Sequence, residues 1–338
     1  MKNILITGGA GYIGSHVAVS LIENGYNPII LDNLSNSSAE VIYRIKKITG
    51  KKPLFIKGDI CDKELLNATF KDIKIDSVMH FAGLKAVGES AQKPLKYFKN
   101  NVGGSINIFD VMKEHRVKNL VFSSSATVYG DQPTLPYNEE MLLKPPSSPY
   151  GETKLAIENI LRSWFASDNS LSISILRYFN PIGAHKSGYI GENPRGIPNN
   201  LMPFICQAAA KKLKTLEIYG NNYKTRDGTG VRDYIHVLDL ASGHLEALKK
   251  CFADSGIHTY NLGTGKGISV MEMVNKFQEV NDVSISYEFV DRRKGDLAEF
   301  YADSSKIKRE LGWVSKYTLE DMCKDSWNWQ NKNPNGLN

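Results

Sequence analysis

The chain has 338 residues, 41% of them hydrophobic and 23% charged, which is ordinary for a globular enzyme and enough for one large domain with an appended lobe. Its formal charge of +6 is spread along the chain and its four cysteines form no Cys-x-x-Cys, so we expect no nucleic-acid partner and no metal site. No apolar run approaches the ~20 residues of a membrane helix and no secretory signal precedes the first strand, which predicts a cytoplasmic protein with no membrane partner.

The chain opens with a predicted strand, a glycine turn and a helix. Residues 4–6 form a short β-branched run, and Thr7-Gly8-Gly9-Ala10-Gly11-Tyr12-Ile13-Gly14 follows it. Glycines at this place let the backbone turn tightly and approach a pyrophosphate, whose charge then lies at a helix N-terminus. A second strand ends in Asp32, 18 residues after Gly14. A carboxylate there accepts from ribose hydroxyls and repels a 2′-phosphate, so the pattern predicts NAD as the cofactor.

Strands and helices continue to alternate after this point. Further apolar runs predict strands at residues 54–56, 77–81, 120–122 and 173–178. The alternation predicts an α/β fold with a doubly wound parallel sheet of the Rossmann type, whose ligands gather at the carboxyl ends of the strands. We place an NAD-binding domain at residues 1–180 and a smaller C-terminal α/β substrate lobe at residues 181–338. Some segments of the lobe are expected to return to the first domain.

One tyrosine and one lysine carry the predicted chemistry. Tyr150 and Lys154 lie one helical turn apart on the same face of a predicted helix, about 25 residues after Ser125. A lysine cation within a few ångströms favours the phenolate, so we expect a lowered pKa that lets Tyr150 accept a proton near neutrality. The chain has a second Tyr-x-x-x-Lys, Tyr43 with Lys47, which we interpret as an exposed helix face.

The second half of the chain is less regular. Residues 183–203 are rich in Gly, Pro and Asn and predict an irregular stretch without a helix. Arginines lie in two later loop segments, residues 227–234 and 292–296, where planar guanidinium groups suit a diphosphate. The tail from Asn331 to Asn338 is expected to fray.

The glycine turn, Ser125, Tyr150 and Lys154 together resemble the extended short-chain dehydrogenase/reductase family. The resemblance covers the whole chain, and its distinctive segments are residues 80–90, 122–133, 177–181, 196–203 and 230–236. It implies an enzyme in which tightly bound NAD oxidises a sugar at C4 to a 4-keto form. The sugar then rotates about its diphosphate linkage and hydride returns to the opposite face, so that UDP-glucose and UDP-galactose interconvert.

The same resemblance implies roles for individual residues. Tyr150 would take the proton of the sugar 4-hydroxyl, Ser125 would hydrogen-bond the same oxygen, and Lys154 would bind the nicotinamide ribose. Besides these three, cofactor contacts are implied for Gly8, Gly11, Tyr12, Ile13, Gly14, Asp32, Asn33, Ser35, Asn36, Ser37, Asp59, Ile60, Phe81, Ala82, Gly83, Lys85, Asn100 and Phe179. Substrate contacts are implied for Asn180, Asn200, Leu201, Glu217, Ile218, Tyr219, Arg232, Arg293, Asp296 and Phe300.

Two further properties are implied in the same way. The residue matching Phe300 lines the sugar pocket, and its size favours UDP-glucose and UDP-galactose over the N-acetylated sugars. A homodimer is implied through two long helices near residues 94–115 and 148–163.

Other activities fit parts of this pattern. A nucleotide-sugar 4,6-dehydratase shares the fold, the cofactor and the Tyr/Lys pair, but it needs a general acid and base after the serine, where this chain has Ala126 and Thr127. The active-site segments match a UDP-glucuronate decarboxylase less closely. A non-catalytic NAD-binding sensor commonly loses the tyrosine or the lysine, and this chain has both.

Overall fold

A computed structural model describes residues 1–196, 198–293 and 295–337. The strands are β1 (Asn3–Thr7), β2 (Asn27–Asp32), β3 (Leu54–Lys57), β4 (Ser77–His80), β5 (Asn119–Ser125), β6 (Ser172–Tyr178), β7 (Asn180–Ile182), β8 (Leu216–Tyr219), β9 (Val231–His236), β10 (Gly256–Leu262), β11 (Gly267–Ser269), β12 (Tyr287–Val290) and β13 (Glu299–Phe300). The α-helices are α1 (Tyr12–Glu23), α2 (Glu40–Thr49), α3 (Lys63–Asp72), α4 (Val87–Gln92), α5 (Pro94–Tyr97), α6 (Gly104–Glu114), α7 (Pro149–Ser167), α8 (Leu201–Ala209), α9 (Val237–Ala253), α10 (Val270–Asn281), α11 (Ser305–Leu311) and α12 (Leu319–Lys332).

The chain divides into two compact units. The first unit consists of Met1–Gly130, Leu142–Arg177 and Ala241–Tyr260. The second consists of Asp131–Met141, Tyr178–Leu240 and Asn261–Asn338. Each unit is built from three separate stretches of chain, so residues that are far apart in sequence pack together within it.

A seven-stranded sheet forms the centre of the first unit. Its strand order is β10-β6-β5-β4-β1-β2-β3, and the pairs from β5 to β3 run parallel. The strands are nearly continuous apolar runs because helices cover both faces of such a sheet. Leu5, Val78, Leu120 and Ile173 are fully buried in its core. The predicted doubly wound parallel sheet is therefore confirmed.

The second unit holds smaller sheets. Strand β9 pairs with β11, β13 and β7, and β12 pairs with β8 in a parallel two-stranded ribbon. The core packed against them includes Met202, Cys206, Phe277 and Cys323. The second unit therefore contains one sheet around β9 and one two-stranded ribbon, and the loops that follow these strands can carry binding residues.

Two predictions for this half were wrong in detail. Helix α8 begins at Leu201, inside the stretch 183–203 that was expected to lack a helix, and Pro203 is tolerated because it lies in the first turn. The tail was expected to fray from Asn331, but α12 continues to Lys332. Asn333 is buried and its Nδ2 donates to Gly188 O at 2.9 Å. The last residue of that tail, Asn338, lies outside the described residues.

Neither a membrane span nor a metal cluster occurs within residues 1–196, 198–293 and 295–337. No helix there is long and apolar enough to cross a membrane. No group of three or more His, Cys, Asp or Glu side chains that could hold a metal ion occurs among the same residues. The four cysteines are all free thiols, and three of them are buried.

The glycine turn gives the first testable prediction. Gly8 has a φ of +70°, and a Cβ there would lie 2.7 Å from Ala82 N, whereas Gly25 has a φ of +80° with nothing within 4 Å. Both Gly8→Ala and Gly25→Ala pay about 1–2 kcal/mol for the left-handed backbone. We expect Gly8→Ala to lower the free energy of unfolding by about 2 kcal/mol more, because it also overpacks the turn against Ala82. Urea unfolding of both variants checks this, and equal losses would contradict it.

Candidate active site

The glycine turn lies directly after β1, at the carboxyl edge of the sheet. Gly8 N donates to Leu31 O at 2.8 Å, and Gly11 N donates to Gly8 O at 3.1 Å. A Cβ on Gly14 would lie 2.5 Å from Gly8 O, so the start of α1 packs against the turn with no room for a side chain. Gly11 is the N-cap of α1, and no side chain caps this helix end in the structure. The turn therefore presents main-chain N–H groups and a helix N-terminus to a pyrophosphate.

Asp32, at the end of β2, organises the loop that follows it. Its Oδ2 accepts from Ala10 N at 3.0 Å, while Oδ1 accepts from Leu34 N at 2.9 Å and from Ser37 Oγ at 2.7 Å. An ionised carboxylate has about four acceptor positions, so it can still accept from a ribose hydroxyl. This fits the adenosine half of NAD.

Asp59, after β3, is held beside this loop. Its Oδ2 accepts from Asn33 Nδ2 and its Oδ1 accepts from Cys61 N, each at 2.8 Å. Burial raises the pKa of Asp59, but these hydrogen bonds outweigh it and leave the pKa below its usual value. Asp59 is therefore an anionic acceptor next to Asn33, as the predicted adenosine contacts require.

The segment after β4 is fixed by a neighbouring asparagine. The residues Phe98–Gly103 form a π-helix, which carries the predicted cofactor contact Asn100. The buried side chain of Asn101 accepts from Leu84 N at 2.8 Å and from Asn100 Nδ2 at 2.9 Å, and it donates to Leu84 O at 3.0 Å. Asn101 also donates to Thr153 Oγ1 at 3.1 Å, so it links the cofactor segment to α7.

Ser125, Tyr150 and Lys154 are brought together where α7 meets the end of β5. Lys154 is buried, and its Nζ donates to Ser123 O at 2.7 Å. The Ser125 hydroxyl accepts from Thr127 N at 3.3 Å and from Thr127 Oγ1 at 3.0 Å, and its interaction with the Tyr150 phenol lowers the pKa of that phenol. A proton acceptor, a hydroxyl partner and a cation therefore share one face of the first unit.

The predicted sign of the Tyr150 pKa shift was wrong for the protein's own groups. Burial of the phenol raises its pKa to about 12, although the hydrogen bond from Ser125 lowers it. Burial of the phenol thus disfavours the phenolate, although part of the Tyr150 residue remains accessible. Burial likewise lowers the pKa of Lys154 to about 8, opposed by the charge of Glu158. The second Tyr-x-x-x-Lys behaves as expected, because Tyr43 is 57% exposed.

A cleft in the second unit collects most of the predicted substrate residues. It is lined by nine of them: Asn180, Asn200, Leu201, Glu217, Ile218, Tyr219, Arg232, Arg293 and Asp296. Asn200 is held by Glu192, whose Oε1 accepts from Asn200 Nδ2 at 2.6 Å. Phe300 is not among the lining residues. The cleft also includes residues that the sequence did not single out, such as Tyr223 and Tyr234.

The two arginines of the cleft share one carboxylate. Arg293 Nε donates to Asp296 Oδ2 at 2.8 Å, and Arg232 Nη2 lies 3.7 Å from Asp296 Oδ1. The Arg293 guanidinium also lies over the Tyr219 ring, 5.0 Å from its centroid. Glu217 also lines the cleft, but in the described part of the chain it does not contact the arginines and accepts from the Tyr219 hydroxyl at 2.8 Å. The two guanidinium groups around Asp296 therefore form a locally cationic cluster that suits a diphosphate.

Phe179 and Phe300 belong to an aromatic cluster of the second unit. The Phe300 ring lies 5.1 Å from that of Phe179 and 4.9 Å from that of Tyr137. Buried Asp233 fixes the adjoining chain, because it accepts from the main-chain N–H groups of Thr264, Gly265 and Ala302 at 2.8, 2.9 and 3.1 Å. Phe179 was expected among the cofactor residues, which otherwise lie in the first unit.

Comparison with known proteins identifies the family. The family model described as GDP-mannose 4,6 dehydratase matches residues 5–326. A UDP-glucose 4-epimerase of Bacillus subtilis (strain 168) is 55% identical over 333 residues, which cover 98% of each chain. The chain belongs to the UDP-glucose 4-epimerase family.

Solved structures of UDP-glucose 4-epimerases share its fold. One from Stenotrophomonas maltophila, with bound NAD and formylated UDP-arabinopyranose, is 48% identical with a TM-score of 0.96 and covers 98% of both chains. One from Bifidobacterium longum, in complex with NAD+ and UDP, is 47% identical with a TM-score of 0.96 and covers 99% of this chain and 100% of that chain. The family and enzyme class expected from the sequence are confirmed, and both of these relatives carry NAD.

Sequence reasoning missed several side chains that shape the epimerase site. Asn101 and Thr127 hold Asn100 and Ser125 in place through the hydrogen bonds described above. Glu158 lies one helical turn beyond Lys154, so the spacing that joins Tyr150 to Lys154 could have found it. Nothing in the sequence distinguishes Asn101 from Asn100, because both lie in one helical stretch.

The lowered pKa of Lys154 predicts a pH dependence of stability. Its usual pKa of 10.5 falls to about 8 in the folded protein, so folding is penalised below pH 8 and the penalty fades as pH rises toward 10.5. Relative to a Lys154→Met variant, the wild type should gain about 2 kcal/mol of unfolding free energy between pH 7 and pH 10.

Urea unfolding across this pH range measures the gain. Lys47→Met is the control, because Lys47 belongs to the exposed Tyr-x-x-x-Lys and its removal should leave the pH dependence unchanged. If Lys154→Met retained the pH dependence of the wild type, Lys154 would titrate like an exposed lysine.

Proposed function

We propose that the chain interconverts UDP-glucose and UDP-galactose by oxidation and reduction at C4, with NAD as its resident cofactor. The proposal depends chiefly on the position of Ser125, Tyr150 and Lys154 at the end of the sheet that also carries the glycine turn, where buried Lys154 donates to Ser123 O at 2.7 Å. The glycine turn and Asp32 fit the cofactor, as the close packing at Gly8 and Gly14 and the remaining acceptor position of Asp32 indicate. When bound, NAD supplies the hydride acceptor and donor and a positive charge that offsets the burial of the phenol.

Tyr150 is the proposed general base. It takes the proton from the sugar 4-hydroxyl and returns it when the 4-keto sugar is reduced. Ser125 donates to the same oxygen, and its orientation is set by the two hydrogen bonds from Thr127. Lys154 contributes a cation one turn along α7, which lowers the free energy of the phenolate.

The cleft of the second unit is the proposed site of the UDP moiety. Arg232 and Arg293 would neutralise the diphosphate, and the chain around Ile218 would contact the uracil. Binding energy placed on the nucleotide leaves the hexose free to turn between the two hydride transfers. The same enzyme can therefore accept both C4 configurations.

A 4,6-dehydratase remains the second candidate, because the matching family model carries that name. Such an enzyme needs an acid and a base beyond Ser125. Ala126 has neither, and the Thr127 hydroxyl is engaged as a donor to Ser125 at 3.0 Å. These contacts favour epimerisation.

We also propose a cytoplasmic homodimer. The free state of all four cysteines fits a reducing compartment. The predicted dimer helices correspond to the stretch from α5 to α6 and to α7, and Leu95 on the first of them is 83% exposed. An exposed apolar side chain on this stretch suits a partner subunit.

Turnover without added cofactor tests the proposed function. Purified protein incubated with UDP-galactose and no added NAD should form UDP-glucose, because the cofactor is recycled within each turnover. Tyr150→Phe should lower turnover by ~10²-fold or more while NAD stays bound. Tyr43→Phe is the matched control and should keep the wild-type rate. Near-normal turnover in Tyr150→Phe would assign the base elsewhere.

The substrate range tests the role of Phe300. Its ring packs against Phe179 and Tyr137, so removing it should open space beside the sugar for an N-acetyl group. We expect wild-type protein to convert UDP-N-acetylglucosamine poorly and Phe300→Ala to raise the ratio of that rate to the UDP-glucose rate by about 10-fold. Comparable wild-type rates on both sugars would contradict this.

A further inference from the structure

Successive turns of α7 are bonded to the end of β5. Residues 150, 154 and 158 share one face of the helix, and they meet the three serines that end the strand. Lys154 Nζ donates to Ser123 O at 2.7 Å, and Ser124 Oγ donates to Glu158 Oε1 at 2.6 Å. Ser125, the last of these serines, interacts with the Tyr150 phenol and lowers its pKa. Glu158 thus contacts the end of β5 one helical turn beyond Lys154, on the face of α7 that also carries Tyr150.

Glu158 is also half of a buried ion pair. It is fully buried, and Arg177 on β6 is 1% exposed. Arg177 Nε donates to Oε1 at 3.0 Å and its Nη2 donates to Oε2 at 2.7 Å, so the pair is bidentate. The Arg177 guanidinium also lies over the Tyr129 ring at 4.7 Å. A buried pair of this kind is often replaceable by apolar side chains without loss of stability, so stability alone does not account for it.

The pair contributes to the electrostatics around Lys154. Burial lowers the pKa of Lys154 and the charge of Glu158 raises it. His80, on the neighbouring β4, is uncharged at neutral pH because burial and the charge of Lys154 hold its pKa at about 3. Tyr150 and Glu158 face Lys154 along α7, and Arg177 faces Glu158 from β6.

The other charged or titratable groups are one contact further away. Arg162 lies 3.5 Å from Glu158 and is half exposed, while Tyr97, from α5, interacts with Tyr150. Glu89, on α4, accepts from the Tyr97 hydroxyl at 3.0 Å. Glu158 is therefore the carboxylate that acts directly on Lys154 among the described residues.

We propose that Glu158 is a positioning residue for the proton transfer, which orients Ser125 through Ser124 and supplies the negative charge against which Lys154 stays cationic. The inference rests on the proposed function, because it assigns Tyr150 and Lys154 their roles in the C4 oxidation. Arg177 holds the Glu158 carboxylate in the rotamer that reaches Ser124. If the negative charge on Glu158 is removed, repulsion from the Arg177 cation disfavours the protonated form of Lys154.

Charge-altering variants separate this role from packing. Glu158→Gln keeps the shape but leaves Arg177 unneutralised, so the pH at which Lys154 loses its proton should fall by about one unit. In the plot of kcat against pH, the fall at high pH should therefore occur about one pH unit lower than in the wild type. At pH 8.5 we expect about a 10-fold loss of kcat, with KM for UDP-galactose changed less than about 3-fold. Adding Arg177→Met should move this fall back toward the wild-type position.

Two further variants complete the design. Arg162→Met removes the half-exposed cation that touches Glu158 and should leave the profile unchanged. Ser124→Ala removes the hydrogen bond without altering charge, so it should lower kcat with no shift in pH. Because Ser124→Ala creates no uncompensated charge, it keeps the orienting role testable if Glu158→Gln does not fold.

A readout that does not depend on turnover accompanies the kinetics. Thermal midpoints measured from pH 6 to pH 9 should show the Lys154 titration at lower pH in Glu158→Gln than in the wild type. Equal losses of kcat at every pH, with no shift in either profile, would overturn the charge role. Wild-type kcat in Ser124→Ala would overturn the orienting role. If instead the purified wild-type protein formed no UDP-glucose from UDP-galactose, the proposed function itself would fail, whatever the Glu158 variants did.

Discussion

A buried ammonium held against a main-chain carbonyl is the interaction on which the arrangement of the proposed catalytic residues depends. Lys154 donates to Ser123 O, and this contact joins α7 to the last residues of β5 inside the first unit. Burial disfavours the ammonium, whereas the carbonyl acceptor and the charge of Glu158 favour it. The same contact places Tyr150, which lies one turn earlier on the same face of α7, near Ser125. The chemistry therefore depends on how a helix docks on a strand end.

Much of the fold could be predicted because buried parallel strands leave a clear signal. Such strands are short apolar runs, and the residues after them lie at one edge of the sheet, so the glycine turn, Asp32 and Ser125 could be placed together. The second unit was harder to predict, because the glycines and prolines of residues 183–203 are not typical of a helix although α8 begins at Leu201. The order of the tail depends on the hydrogen bond from Asn333 to Gly188 O. These two residues are 145 positions apart in the sequence, so no local sequence pattern predicts their contact.

The site shows the same division between local and long-range information. Helical spacing identified Tyr150 and Lys154, and it would have identified Glu158 had a partner been visible. That partner, Arg177, lies on another strand, and its pairing depends on burial that spacing cannot reveal. The pKa of Tyr150 shows why this matters. Burial raises the pKa of the phenol and the interaction with Ser125 lowers it, and only the coordinates show that burial is the larger effect.

The pairing of β13 with β9 has a consequence for how this family can diversify. Phe300 stands opposite Arg232 across the two strands, so the side chain proposed to lie beside the sugar and the proposed anchor of the nucleotide share one register. Asp233, the next residue on β9, accepts from Ala302 and locks that register. A mutation that trims Phe300 alters one wall and leaves the backbone that presents the guanidinium untouched. If Phe300 and Arg232 have the proposed roles, new sugar preferences can evolve by single codon changes while affinity for the uridine nucleotide is inherited intact.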